Sequence, residues 1–158
     1  MISKKICMVG RFAVGKTSLV DRFVKNNFSE KYQTTVGVSI ATKIIDESTK
    51  FIIWDIAGFE KENHYKPYLR GAHGIIYVVD ATEPQSIQTL DLILADSPEL
   101  QNIPAICFIN KSDLTDEISW KQQFDEKLEK LVFKSYWTSA KTGENVETAF
   151  MALSHHLQ

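Results

Sequence analysis

Gly10-Arg11-Phe12-Ala13-Val14-Gly15-Lys16-Thr17 follows directly on the apolar run Ile6-Cys7-Met8-Val9. The pattern Gly-x-x-x-x-Gly-Lys-Thr, placed between a strand and a helix, has a specific chemical use. The backbone N–H groups of Ala13, Val14, Gly15, Lys16, Thr17 and Ser18 can curl around a polyphosphate at the positive end of the helix that begins there. Gly10 and Gly15 permit the tight turn and the close approach of backbone to ligand. Lys16 can reach the outer phosphates, and the Thr17 hydroxyl suits Mg²⁺, a hard cation that takes oxygen ligands.

Three further groups fit the same chemistry. Trp54-Asp55-Ile56-Ala57-Gly58 closes an apolar run. A carboxylate there can hold Mg²⁺ through water, and the Gly58 N–H can meet a γ-phosphate. Asp-x-x-Gly is an ordinary turn on its own and gains meaning only after a phosphate loop. Asn110-Lys111-Ser112-Asp113 follows the apolar run Ala105 to Ile109. The Asp113 carboxylate only accepts hydrogen bonds. It matches guanine, which offers a ring N1–H beside a 2-amino group, and not adenine, which has no such pair. Asn110 can tie this loop to the phosphate loop, and the Lys111 stem can cover one face of a base. Ser139-Ala140-Lys141 comes last. Its backbone N–H groups can meet the guanine O6, and Lys141 can lie over the other face.

The elements that must position these groups follow from periodicity. Apolar runs at Lys5 to Val9, Gly74 to Val79, Pro104 to Ile109 and Val132 to Trp137 predict buried strands. Val38 to Ile45 and Phe51 to Trp54 predict a hairpin around Asp46-Glu47-Ser48. Helical spacing predicts helices over 16 to 27, 86 to 95 and 118 to 131, with a last helix after Gly143. The inward sets are Leu19, Val20, Phe23 and Val24, then Ile87, Leu90 and Leu94, then Trp120, Phe124, Leu128 and Leu131, and finally Val146, Ala149, Phe150, Leu153 and Leu157. Strands alternating with helices imply a mostly parallel sheet covered on both faces, with ligands at the carboxyl ends of the strands. Every motif above falls at such an end.

The whole chain of 158 residues is expected to form one domain, and 44% hydrophobic with 24% charged residues is ordinary globular composition. A net charge of −2 gives no reason to expect a nucleic-acid or bilayer surface. No signal-peptide pattern or membrane-length apolar run is present. Residue 2 is Ile, and His155-His156-Leu157-Gln158 carries no cysteine, so no direct lipid anchor and a cytoplasmic location are expected. Cys7 and Cys107 read as buried reduced thiols.

The four motifs, in this order, resemble the Ras superfamily of small GTPases over essentially the whole length. Tyr68-Leu69-Arg70-Gly71-Ala72-His73-Gly74-Ile75-Ile76, Val36-Gly37-Val38, Trp54-Asp55 and Gly143-Glu144-Asn145-Val146-Glu147 are most similar to the Rab branch. The resemblance implies an α/β P-loop NTPase G domain. Its six-stranded sheet has order 2-3-1-4-5-6, one antiparallel strand, and helices on both faces. It implies a monomeric switch that binds GTP or GDP with Mg²⁺ and hydrolyses GTP, with Lys16, Thr35 and Gly58 in catalytic roles. Thr17, Thr35 and Asp55 would serve the metal. Phe28 would stack edge-on against the base. Tyr32 and Thr35 would belong to a first switch at 28–38, and residues 58–70 would form a second. Bound γ-phosphate would order both switches. Effectors, an exchange factor and an activating protein would be the partners.

Two positions depart from the family pattern. Phe59 stands where the family usually has the Gln that orients the attacking water, and Phe12 stands where a small residue is usual. These predict slow intrinsic hydrolysis; in the family fold the two positions flank the γ-phosphate, where the rings can pack edge-to-face, the alternative being that both point into solvent or pack elsewhere. Ala13 closes the route in which a phosphate-loop Asn holds potassium. Arg11 as an internal arginine finger and Glu60 as a water-positioning group are the candidate substitutes; both are otherwise solvated charges. A non-hydrolysing GTP-binding scaffold is the rival from another class. An adenylate-type kinase is disfavoured by Asp113.

Overall fold

The computed structural model describes residues 1–31, 35–59, 64–115 and 121–158. Six strands form one sheet: β1 (Ile2–Gly10), β2 (Val38–Ile44), β3 (Thr49–Ile56), β4 (Gly74–Asp80), β5 (Ala105–Asn110) and β6 (Lys134–Trp137). Their order is β2-β3-β1-β4-β5-β6, the order the resemblance implies. Only β2 runs antiparallel to its neighbour. The helices are α1 (Lys16–Lys25), α2 (Ser86–Asp96), α3 (Lys121–Leu128 among the described residues) and α4 (Val146–His156).

The sheet divides the core into two layers because successive strand residues point to opposite faces. Cys7 and Val9 of β1, Ile75, Tyr77 and Val79 of β4, and Cys107 and Ile109 of β5 pack with Ile87, Leu90 and Ile93 of α2 and Phe124 and Leu128 of α3. Their neighbours Ile6, Met8, Ile76, Val78, Ile106 and Phe108 pack with Leu19, Val20 and Phe23 of α1 and with Val146, Ala149, Phe150 and Leu153 of α4. Phe150 fastens the second layer. Its ring stacks on Phe23 at 4.0 Å and meets Phe108 edge-on at 5.0 Å. Such pairs are worth about 0.5–1.5 kcal/mol beyond their area.

The differences from the periodicity reading have local causes. β1 begins at Ile2 rather than Lys5, because the Ile2 N–H donates to the Ser48 carbonyl at 2.6 Å and pairing with β3 starts there. In that half of the strand Ile2 and Ser3 are exposed and Lys4 and Lys5 only half-buried, and the run Ser3-Lys4-Lys5 carries no apolar signal. α1 stops at Lys25, where Asn26 takes a left-handed conformation (φ 52°). β6 starts at Lys134 rather than Val132, since Leu131 and Val132 both donate to Leu128 and close the end of α3. Val24, Leu131 and Leu157 are partly buried at the margins of the layers. The expected inward Trp120 lies outside the described residues. Asp46 closes the hairpin by accepting the Ser48 and Thr49 N–H groups at 2.7 and 2.8 Å. Among the described residues no helix is long and apolar enough to cross a membrane.

Candidate functional site

A cleft of about 410 Å³ opens at the carboxyl edge of the sheet, lined by Ala13, Gly15, Lys16, Thr17 and Ser18 at one end and by Asp113, Ala140 and Lys141 at the other. The strand ends place both sets. β1 delivers the loop 10–17 into α1. β5 delivers Asn110 to Asp113, and β6 delivers Ser139 to Lys141.

The phosphate loop is held in shape before any ligand contact. Ala13 (φ 66°) and Gly15 (φ 100°) are left-handed, and Asn110 Nδ2 donates to the Val14 carbonyl at 3.0 Å. A Cβ on Gly15 would lie 2.3 Å from Asn110 Nδ2, so the position has no room for one. The Val14 side chain is buried, and that residue contributes its backbone alone. Lys16 is only 6% exposed, and its ammonium donates to the carbonyls of Gly10 and Arg11 at 3.2 and 3.1 Å. Burial pulls its pKa down to about 8, partly opposed by the Asp55 carboxylate. A buried ammonium whose hydrogen-bond partners among the described residues are two carbonyls is poised for an anion.

Three oxygens converge beside it. Thr17 Oγ1 donates to Asp55 Oδ2 at 2.6 Å and lies 2.6 Å from Thr35 Oγ1. Asp55 is 2% exposed, and its Oδ1 is buried without a hydrogen-bond partner among the described residues. Burial raises the Asp55 pKa, against the hydrogen bond from Thr17. An orphaned carboxylate oxygen beside two hydroxyls is an all-oxygen set that fits Mg²⁺.

At the base end, Ser139 Oγ donates to Asp113 Oδ1 at 2.7 Å and so aims the carboxylate. Asn110 Oδ1 accepts from Thr138 Oγ1 at 3.2 Å and from the Ala140 N–H at 3.3 Å. Asn110 therefore joins the phosphate loop to both base-end loops. Lys111, left-handed at φ 67°, stretches across the cleft to the Ala13 carbonyl (2.7 Å) and to Asp80 (3.1 Å). Phe28 lines the cleft and packs on the α1–α4 layer. Lys141 pairs with Glu30 at 3.5 Å at the mouth.

Comparison with known proteins decides the family: residues 5–158 match the Ras family. The chain belongs to the Ras family. It is 35% identical to Ras-related protein Rab-31 of Rattus norvegicus, over 97% of this chain and 82% of that protein. It is also 35% identical to Ras-related protein Rab-7b of Mus musculus (97% and 81%) and 34% identical to Ras-related protein RABD2a of Arabidopsis thaliana (95% and 77%). This is a Rab-like small GTPase, a guanine-nucleotide switch.

Within this small GTPase one expectation needs correction. Phe12 and Phe59 do not form a pair at the phosphate end. Phe12 is 52% exposed and lines the cleft. The Phe59 ring instead meets Tyr65 edge-on at 5.3 Å and packs against the α2 layer, near Val9, Ile56 and Ile93. Its N–H donates to the Gly10 carbonyl at 2.9 Å, which fixes the backbone there. An apolar ring beside an apolar layer gains by turning inward, whereas the Gln usual in the family would keep its amide in water. Gly58 does line the cleft, and a Cβ on it would lie 2.5 Å from Phe12 Cα.

Of the candidate substitutes, Arg11 pairs with Glu83 at 3.1 Å on the surface. Glu60 and Tyr32 lie outside the described residues. Sequence reasoning missed Asp80 and Arg22. Asp80 could have been found as a carboxylate ending a buried strand. Arg22 carries no motif signal, because it sits in the last turn of α1, outside the phosphate-loop pattern, and its partners in the loop after β6 are backbone carbonyls.

Proposed function

We propose that this Rab-like protein binds GTP and GDP in the cleft between Lys16 and Asp113, hydrolyses GTP slowly, and changes partners through residues 28–38 and 58–70. The observation that carries the slow rate is the Phe59 ring turned onto Tyr65, at the position where the family places its water-orienting Gln.

The residues divide the work along the cleft. The N–H groups of residues 13–18 and the Lys16 ammonium hold the phosphates and stabilise charge that develops on them. Thr17, Thr35 and Asp55 are the residues that would hold Mg²⁺. When bound, Mg²⁺ supplies charge neutralisation at the phosphates. Thr35 and the Gly58 N–H meet the γ-phosphate, which gives residues 28–38 and 58–70 a reason to differ between triphosphate and diphosphate. Asp113 accepts from the guanine N1–H and 2-amino group. The N–H groups of 140 and 141 meet O6, and Phe28, Lys111 and Lys141 border the base. With Phe59 unable to orient water, hydrolysis rests on positioning and charge alone. Effectors, an exchange factor and an activating protein, the usual partners in this family, would read the same two segments. The chain acts as one domain and as a monomer.

Single-turnover hydrolysis of bound GTP tests this reading. The expected result is measurable turnover on a scale of hours, slower than the roughly 3–5 × 10⁻⁴ s⁻¹ of an intrinsic Ras-type rate. No turnover over days would replace the hydrolysing switch with a GTP-binding scaffold.

A further inference from the structure

Arg22 sits in the last turn of α1, more than one helical turn beyond Thr17, and its guanidinium reaches out of the helix into the loop after β6. Nε donates to the Ala140 carbonyl at 2.7 Å, and Nη2 donates to the Lys141 carbonyl at 2.6 Å. Nη1 donates to Asn26 Oδ1 at 3.3 Å, which orients the fork from its own helix. These two carbonyls belong to successive residues, and the planar fork of an arginine matches such a pair where a lysine could reach only one at a time.

The consequence for the loop follows from peptide geometry. In a trans peptide the C=O and the following N–H point in opposite directions. With the Ala140 carbonyl turned onto Arg22, the Lys141 N–H points away from α1. The Ala140 N–H is held separately, by Asn110 Oδ1 at 3.3 Å. The loop closes behind through the Gly143 N–H, which donates to the Ser139 carbonyl at 2.8 Å. Gly143 is left-handed (φ 86°), and a Cβ there would lie 3.8 Å from Arg22 Cδ, so the arginine stem runs beside this turn.

We propose that Arg22 is a positioning residue for base selection: by holding the Ala140 carbonyl it turns the peptide between Ala140 and Lys141 so that the Lys141 N–H faces the 6-oxo edge of a purine. It touches no ligand itself. The proposal rests on the reading above that residues 140 and 141 meet guanine O6. It goes beyond that reading by assigning the orientation of the loop to a residue of α1, the same helix whose first turn carries Lys16 and Thr17.

The test separates the two edges of the base. Competition binding compares GDP with 2-aminopurine riboside diphosphate, which lacks the 6-oxo group and with it the N1–H, and with inosine diphosphate, which keeps the N1–H and lacks the 2-amino group, so that the inosine arm registers any disturbance of Asp113. Wild type is expected to prefer GDP to both. Arg22→Met, which keeps the stem and removes the donors, should shrink the preference over the 6-deoxo analogue by about 10-fold or more, the scale of one charge-assisted hydrogen bond. Its preference over inosine diphosphate should stay within about 2-fold of wild type, the spread of a site that has lost no hydrogen bond. Arg22→Lys should fall between, and it carries the test if the Met variant does not fold. Equal changes in both ratios, or none in either, would show a purely structural arginine and overturn the proposal. A wild type that does not distinguish the 6-deoxo analogue would overturn the O6 reading first, and that failure is visible without any variant.

Discussion

Thr17 donates a 2.6 Å hydrogen bond to one oxygen of Asp55, while the other oxygen of that carboxylate is buried with no hydrogen-bond partner among the described residues. A half-satisfied buried carboxylate is costly, and burial holds its pKa above the usual carboxylate range. A folded state that keeps the proton longer than the unfolded chain loses stability as pH rises through that interval. Asp55, as one of the residues that would hold Mg²⁺, would shed that penalty in the metal-bound, ionised form. We therefore expect chelation to speed nucleotide release from wild type in stopped-flow measurements, and acidification toward the Asp55 pKa to do the same. Asp55→Asn should weaken Mg²⁺ by roughly 10–100-fold and be nearly insensitive to chelator. Thr35→Ala should spare GDP if, as proposed, Thr35 meets the γ-phosphate of the triphosphate. Release indifferent to chelation in wild type would overturn the metal assignment.

Lys16 gives a prediction of opposite sign. Its folded-state pKa is about 8, against 10.5 as the ordinary value. Below about pH 8 the nucleotide-free protein bears the cost of a buried ammonium. Between about 8 and 10.5 the unfolded chain binds the proton and the folded one does not, so stability rises with pH. The free energy of unfolding of wild type relative to Lys16→Met should climb by roughly 3 kcal/mol across that window. In the same variant nucleotide-induced stabilisation should vanish, because the charge that costs stability is the one that holds the phosphates. A flat difference across the window would mean that Lys16 leaves the loop and is solvated.

Most of this site was legible because its chemistry is local. Gly15, Lys16, Thr17, Asp55, Asn110 and Asp113 lie in motifs whose spacing fixes backbone shape, and the alternation of buried strands and helices fixes which sheet edge they share. What was not legible depended on tertiary choice. The Phe59 ring could go to the cleft or to the layer under α2, and nothing in its neighbours along the chain decides between Phe12 and Tyr65 as its contact. Arg22 was hidden for a different reason. A side chain that bonds backbone carbonyls 118 and 119 positions away leaves no residue-type signature at the other end. The early start of β1 was missed because the run Ser3-Lys4-Lys5, which pairs with β3, is polar and carries no apolar periodicity.

Asp113 is aimed by Ser139 at 2.7 Å, so base choice should respond to both. Asp113→Asn should weaken GTP and improve xanthosine triphosphate relative to it, because xanthine has a carbonyl where guanine has an amine and an Asn amide can donate to it. Discrimination of this kind can reach about 10⁴-fold. Ser139→Ala should lower GTP affinity by about 10-fold without favouring xanthosine triphosphate, since it leaves the carboxylate but frees it to turn. Competition binding of the two triphosphates to each variant decides. An unchanged ratio in Asp113→Asn would remove Asp113 from the base site.

The sulfurs should be unlinked. Cys7 pairs with Ile75 and Cys107 with Tyr77, so β4 lies between them. That is two strand spacings, about 9.6 Å, beyond the roughly 7 Å a disulfide allows between Cα atoms. Burial pushes the Cys7 thiol up to about 12, against a smaller opposite pull from Lys5, and raises Cys107 as well. Thiol titration should find two groups after unfolding without reductant and almost no reaction in the folded protein, because the reactive thiolate is suppressed at both sites. Fewer than two would contradict the sheet order.

Phe12 and Phe59 now make separable predictions. The Phe59 ring is committed to Tyr65, whose hydroxyl donates to Asp96 at 2.5 Å and lies 3.1 Å from Ser97 Oγ, both at the end of α2. Phe59→Gln would leave an amide facing an apolar layer, at a cost of about 1–3 kcal/mol, or swing it into the cleft and empty the contact with Tyr65. It should therefore lower stability and recover little hydrolysis, because Phe12 still lines the wall beside Gly58. Phe12→Gly should leave the α2 layer untouched and also recover little, because no group orients water. In the double variant both obstacles are gone, and the single-turnover rate should exceed the product of the two single effects. Stability should behave differently. Without a ring contact between the two positions, the unfolding free energies should add to within about 0.5 kcal/mol. Non-additive rates with additive stabilities would show that the two aromatics meet only through the reaction. Coupled stabilities would show that the rings share a site after all, and a wild-type rate equal to an ordinary small GTPase would move attention to Arg11 and Glu60.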